Sequence, residues 1–164
     1  MLSTAMEAAL NHQINVEMES SYIYLAMAAY AEAQDHPGAA GWLRAQSREE
    51  LAHAMKFYEY IHARGGRVLL QAIPQPPAEF GTLVDLFDAV LEHEQTITGR
   101  VHRLYELALA EKDYASFPLL QWFLAEQVEE EKAAEDVLRM VRAAGLSGQA
   151  LLFVDAELGK RQLK

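Results

Sequence analysis

Four long stretches of this chain carry an apolar stripe at helical spacing, and each stripe is broken near its midpoint by a carboxylate or a carboxamide. The first reads Leu10, Ile14, Glu17, Ser21, Tyr24 and Ala28, and the second Leu43, Ser47, Glu50, Ala54, Phe57 and Ile61. The third reads Leu83, Phe87, Val90, Glu94, Ile97, Val101, Leu104 and Ala108; the fourth reads Leu120, Phe123, Gln127, Glu130, Ala134, Val137 and Val141. Such stripes must be buried against one another, so four of them predict an all-α four-helix bundle. A carboxylate on a buried stripe is costly unless it is paired, protonated or bound to a cation.

Local signals place the boundaries. Thr4 with Glu7 predicts a capping box, and the first helix then runs to about Gln34. Asp35-His36-Pro37-Gly38 is a short turn, which makes the second helix an antiparallel neighbour ending at Gly65-Gly66. Thr82 with Asp85 reopens a helix, Lys112-Asp113 marks a further turn, and Ser116 caps the fourth helix because Pro118 is tolerated only in a first turn. That helix ends at Gly145, and a short fifth one is expected over 147–158 with Leu151, Val154 and Leu158 on one side. Gly99, inside the third helix, is unfavourable by about 1 kcal/mol relative to Ala, and the sequence offers no reason for it.

Between Arg67 and Gly81 the helical pattern fades, and Pro74, Pro76 and Pro77 forbid a regular helix through its second half. About 15 extended residues reach roughly 50 Å, whereas a helix of about 28 residues is roughly 42 Å long. The segment is therefore a crossover along the whole bundle, which makes helices two and three parallel. With 164 residues, the expectation is one domain over 1–164, comprising a bundle at 4–145 and the C-terminal helix, around a single core.

That connectivity brings the four interruptions to one depth. Glu17 lies about 17 residues before the end of helix one and Glu50 about 13 after the start of helix two, an axial offset of roughly 6 Å. Glu94 and Gln127 give nearly the same offset. Glu50 and His53 are three apart and share a face, so one helix offers an oxygen and an imidazole nitrogen to one ion. Alone, Glu-x-x-His also fits an exposed Glu beside a hydrogen-bonded His; four polar sets at one level require a cation. Glu17, Glu50, Glu94, Gln127 and Glu130 with His53 suit divalent iron or manganese, whereas zinc prefers fewer, softer ligands.

Charge and composition agree with this. The formal net charge of -10 argues against a nucleic-acid surface and favours cations as partners, and with no cysteine there is no disulfide and no thiolate metal site. No apolar run approaches the roughly 18 residues of a membrane span, and the opening Met1 to Glu7 lacks a basic segment followed by an apolar one. A soluble, cytoplasmic protein with no nucleic-acid or membrane partner is expected.

The residues resemble the non-haem ferritins of bacteria over essentially the whole chain. The match rests on Glu17, Tyr24, Glu49-Glu50-x-x-His53, His93-Glu94-Gln95, Gln121-Trp122 and Glu126-Gln127-Val128-Glu129-Glu130-Glu131, together with the crossover and the short final helix. The resemblance implies that Glu17, Glu50, His53 and Glu94 hold one iron, and that Glu50, Glu94 and Glu130 hold a second with Gln127 nearby. It also implies a third iron position at Glu49, Glu126, Glu129 and Glu130. By pattern alone, Glu129 to Glu131 is equally a solvated helix face. Tyr24 matches a tyrosine beside the diiron centre, a candidate electron donor; by pattern it is a core residue with a satisfied hydroxyl.

The implied activity is ferroxidase: Fe(II) is oxidised by dioxygen or hydrogen peroxide, and ferric mineral is stored inside a hollow homo-oligomer of 24 subunits, a count that comes from the family alone. Helix four departs from the bacterioferritins, which complete a second Glu-x-x-His and bind haem through a methionine where Leu51 stands. No haem is expected, and Met6, Met18, Met27, Met55 and Met140 read as gap fillers. His12, His36, His62, His93 and His102 read as surface or packing residues, with His93 pointing away from Glu94's face. Two rivals stay open: a diiron oxidase or peroxidase of the rubrerythrin type without mineral storage, and a helical assembly protein whose carboxylates bind metal structurally.

Overall fold

A computed structural model describes residues 2–145 and 148–161. Its helices are α1 (Thr4–Ala33), α2 (Pro37–Ala63), α3 (Leu83–Ala110), α4 (Phe117–Ala144) and α5 (Gly148–Leu158), with a single 3₁₀ turn at Tyr114–Ser116 before α4. No strand occurs among the described residues. α1 packs chiefly on α2 and α3 on α4, while α5 lies against α2 and α4.

The helix starts correct two expectations. Ser3, not Thr4, caps α1, its hydroxyl accepting from the Met6 N–H at 3.1 Å. Pro37 and Gly38 belong to the first turn of α2, so the hairpin turn is tighter than Asp35 to Gly38 suggested and rests on Asp35 at φ 61°. Pro37 fits there because a first-turn residue needs no backbone donor. At α3 the capping box of Thr82 and Asp85 is complete in both directions. Gly65, at φ 72°, lets the chain leave α2, and the Gly66 N–H closes back on the Ile61 carbonyl at 2.9 Å.

The segment between α2 and α3 runs along α1, and two buried asparagines of α1 hold it there. Asn11 accepts from the Leu69 N–H at 2.6 Å and donates to the Arg67 carbonyl at 2.9 Å. One turn on, Asn15 accepts from the Gln71 N–H at 3.0 Å and donates to the Ala72 carbonyl at 3.3 Å. Tyr30, near the other end of α1, donates to the Gly81 carbonyl at 2.8 Å. Extended backbone that forms no ladder thus has its polar groups satisfied by side chains, and the chain is carried the length of the bundle.

The core is not the single cluster expected. One cluster joins Tyr24, Ala28, Leu43, Phe87, Val90, Ala134, Val141 and the α5 residues Val154 and Leu158. A second joins Met6, Leu10, Ile14, Phe57, Ile61, Ile97, Val101, Leu120 and Phe123. The polar interruptions of the four stripes fall between them. α5 begins at Gly148; Ser147, the expected first residue, lies outside the described residues. Val154 and Leu158 are buried, with Leu151 partly so.

The start of α2 has no side-chain cap of its own. Asp155 of α5 supplies one: its carboxylate accepts from the Gly38 and Ala39 N–H groups at 2.9 and 2.8 Å. A negative side chain at a helix N-terminus is favourable both as a hydrogen-bond acceptor and against the helix dipole. Gly38 is required for this approach, since a Cβ there would lie 1.7 Å from the Asp155 carbonyl oxygen.

Candidate metal centre

Between the two apolar clusters, Glu17 of α1, Glu50 and His53 of α2, Glu94 of α3, and Gln127 and Glu130 of α4 are all buried. Two groups of donor atoms come close enough to share an ion. Ligand atoms of Glu17, Glu50 and His53 lie within 4.8 Å of one another, and so do those of His53, Glu126 and Glu130. His53 is common to both.

The remaining expected residues are placed differently. Glu94 Oε1 accepts from the Tyr24 hydroxyl, and its Oε2 accepts from Gln127 Nε2 at 3.3 Å. Gln127 Nε2 also lies 3.2 Å from the Glu94 carbonyl and 3.3 Å from Thr98 Oγ1. Glu126 is partly buried and gathers with Glu130, whereas Glu129 is exposed. Glu49, partly buried, is paired with Arg161 near the end of the described chain. Of the four residues of the expected third position, Glu126 and Glu130 gather with His53, while Glu49 is held by Arg161.

Two glutamines belong to the centre although the sequence reading passed over them. Gln13 Nε2 donates to Glu17 Oε1 at 2.7 Å. Gln46 Nε2 donates both to Glu50 Oε1 at 2.9 Å and to Glu130 Oε2 at 2.8 Å, holding two carboxylates from different helices with one amide. Each glutamine stands four residues before the carboxylate on its own helix, and this Gln-x-x-x-Glu spacing was a legible signal. Glu17 Oε2 and Gln46 Oε1 are buried with no hydrogen-bond partner. The first is a lone pair aimed into an anionic cluster, where a cation would satisfy it.

The electrostatics follow from crowding acids in a dry place. Burial, then the charge of Glu50, pushes the carboxyls of Glu17 and Glu94 well above the usual carboxylate range. The same causes raise Glu130 to about 7. Burial opposes charge on Glu50 and His53 as well, but the contact between His53 Nδ1 and Glu50 Oε2, at 3.4 Å, outweighs it: Glu50 is lowered and His53 raised. The Tyr24 phenol is raised by burial and by Glu94, so it remains a proton donor. Buried carboxyls of this kind give up their protons when a cation binds, because the cation favours the charged form.

His93 is half-buried and turned from Glu94's face. Its Nε2 lies 2.8 Å from Ser20 Oγ, and its ring meets that of Tyr24 edge-on at 5.4 Å. Ser20 Oγ donates to the Val16 carbonyl at 3.0 Å, so the proton between Ser20 and His93 is on Nε2. His53 is bounded by Trp122 and Phe123, with ring centroids at 5.5 and 5.6 Å, and these shield the centre on the side facing the second apolar cluster.

Comparison with known proteins gives matches over nearly the whole chain. The family model described as ferritin-like domain matches residues 7–144. The bacterial non-heme ferritin of Bacteroides fragilis (strain 638R) is 39% identical over 161 residues, covering 98% of this chain and 100% of that protein. That of Escherichia coli O157:H7 is 36% identical over 158 residues, 96% of each chain. Among solved structures, an open pore ferritin from the hyperthermophilic archaeon Archaeoglobus fulgidus superposes with a TM-score of 0.97 at 46% identity, covering 99% of this chain and 100% of that one. An engineered closed form of the same archaeal ferritin gives 0.98 at 46% identity over the full length of both.

Proposed function

The chain belongs to the ferritin family, and from that premise we propose that it is an iron-storage ferroxidase whose substrate, Fe(II), is oxidised by dioxygen or peroxide at a two-iron site inside each subunit. The observation that carries this reading is the burial of carboxylates from all four long helices in one place, with donor atoms of Glu17, Glu50 and His53 within 4.8 Å of one another and Glu130 joined to Glu50 through the Gln46 amide. Two ions held side by side, roughly 3.5 to 4 Å apart in two-metal sites generally, can each give one electron to the same oxidant. The residues' task is to bind and place those ions.

Glu17, Glu50 and His53 take the first ion, with Glu94 turning from the Tyr24 hydroxyl to join them. Glu50, Glu94 and Glu130 take the second. Gln127, on Glu94, and Gln46, across Glu50 and Glu130, hold the carboxylates in place until the ions arrive. Tyr24 sits within hydrogen-bonding contact of Glu94, where its phenol can deliver a proton and an electron to the centre. Oxidised iron then leaves to grow a ferric mineral within a shell of 24 copies. The chain's excess of acidic groups, 24 Asp and Glu against 14 Lys and Arg, raises the local concentration of Fe(II).

The test is the initial rate of aerobic Fe(II) oxidation. Glu50→Ala and His53→Ala should each slow it by at least about tenfold, the loss already expected for a residue that only orients a metal ligand; an undiminished rate in both would overturn the assignment. Loading separates storage from a rubrerythrin-type oxidase: storage gives hundreds or more ferric ions per particle, whereas the alternative stops near the number of binding sites.

A further inference from the structure

Glu49 follows directly before Glu50 in sequence, yet its side chain turns to the C-terminal segment. Arg161 Nη2 donates to Glu49 Oε2, and the guanidinium lies 4.2 Å from the centroid of the Trp42 ring. The pair is largely sealed from solvent: the Arg161 side chain is 17% exposed and that of Glu49 11%. It is also single-pronged. Glu49 Oε1 and Arg161 Nη1 are buried without hydrogen-bond partners, although a guanidinium and a carboxylate can meet through two parallel bonds.

This ion pair stands beside the His53, Glu126 and Glu130 group. Glu49 stands four residues before His53 on α2, one helical turn away on the same side, which sets the pair on the flank of that group. What keeps the guanidinium there is the mooring of α5. Asp155 grips the start of α2 through the Gly38 and Ala39 N–H groups, and Val154 and Leu158 are buried in the adjoining core, leaving Arg161 three residues past Leu158 to reach Glu49.

A guanidinium and a metal ion cannot both take the same carboxylate face at close range, because two cations there repel. We propose that Arg161 is a built-in counter-cation that sets how many metal ions the centre accepts: while it holds Glu49, that carboxylate is not a ligand, and a cation binds against Glu49 only once Arg161 has left. The third position that family resemblance draws through Glu49 is thus closed in this chain by its own C-terminal segment. The proposal rests on the two-iron reading for the neighbouring ligands, and its test is independent of iron oxidation.

The assembled, metal-stripped protein is dialysed anaerobically against Co²⁺, and the bound ions per subunit are counted by elemental analysis. Arg161→Gln should gain one tightly bound Co²⁺ relative to the parent, Arg161→Lys should gain none because a cation is retained, and Arg161→Gln with Glu49→Gln should return to the parent count. Glu49→Gln in the otherwise native chain should leave the count unchanged, a readout that stands even where Arg161→Gln fails to assemble. A fall of one ion in Glu49→Gln, no gain in an assembled Arg161→Gln, or a gain that survives the second substitution would each overturn the proposal. A parent chain that binds fewer than two Co²⁺ counts against the two-iron reading instead, while the Glu49-dependent difference still decides the role of Arg161.

Discussion

At the scale of single residues, the centre is a set of buried acids tied together by glutamine amides. Gln46 is the most exposed to test, because one Nε2 serves Glu50 and Glu130 together. Gln46→Ala removes two charge-assisted bonds and should destabilise the metal-free protein by about 1–3 kcal/mol; the deficit should shrink once Co²⁺ neutralises the carboxylates. Chemical denaturation with and without metal measures both. The pH dependence follows from the shifts. Glu17, Glu94 and Glu130 are raised, the last to about 7, so the folded state binds protons that the unfolded chain has released. Each contribution is present at low pH and is lost as pH rises through the folded value: for Glu130 between the ordinary carboxylate value and about 7, with Glu17 and Glu94 acting in the same direction. His53, also raised, loses its contribution in the same direction as pH climbs through its folded value. Glu50, lowered, works the other way, but only below the ordinary carboxylate range. Thermal unfolding of the metal-free protein should therefore show a melting temperature falling between about pH 5 and pH 7, and metal binding over that range should release protons.

At the scale of helices, the sequence marks most ends and misses the contacts that come from elsewhere in the chain. Capping at Thr82 and the exit at Gly145 are local, so they were legible in Thr82-x-x-Asp85 and in the isolated glycine. The cap of α2 was not, because its acceptor is Asp155, 117 residues away from Gly38. Gly38→Ala should displace α5, since the added Cβ meets the Asp155 backbone rather than a movable side chain; faster proteolysis near 145–148, with little change in helical signal, is the expected result. Gly99 is the opposite case. A Cβ there meets only the Arg103 guanidinium, at 3.7 Å, so nothing in the subunit requires glycine. Gly99→Ala should stabilise α3 by up to about 1 kcal/mol, read as a higher denaturation midpoint. The third-helix glycine thus remains without a structural reason.

At the scale of the whole molecule, large apolar side chains remain at the surface of the isolated subunit. Tyr22 and Leu25 on α1, with Leu69 and Leu70 on the crossover, are between 47% and 58% exposed, and Leu152 and Phe153 on α5 are 70% and 67% exposed. Exposed apolar side chains of this size fit a subunit that is covered by neighbours. Among the described residues no helix is long and apolar enough to cross a membrane. Sedimentation of the purified protein should give a mass many times that of one 18.4 kDa chain, with ferric iron retained in the same particle after aerobic loading. A monomer, or iron that fails to sediment with the protein, would contradict the storage reading.

The repeating apolar stripes, their polar interruptions, the proline-broken crossover and the two halves of the hairpin plan were all properties of local sequence. They determined an all-α bundle with the polar positions at one depth, because helical period and element length suffice to compute both. What the sequence did not determine is which acid meets which partner. Glu49 and Glu50 are neighbours in the chain, and a helix step of about 100° sends one to Arg161 and the other to Gln46 and His53. Asn11 and Asn15 look like ordinary polar positions until the crossover lies against them. Those choices depend on contacts between segments far apart in the chain, whose geometry exists only once the bundle has closed.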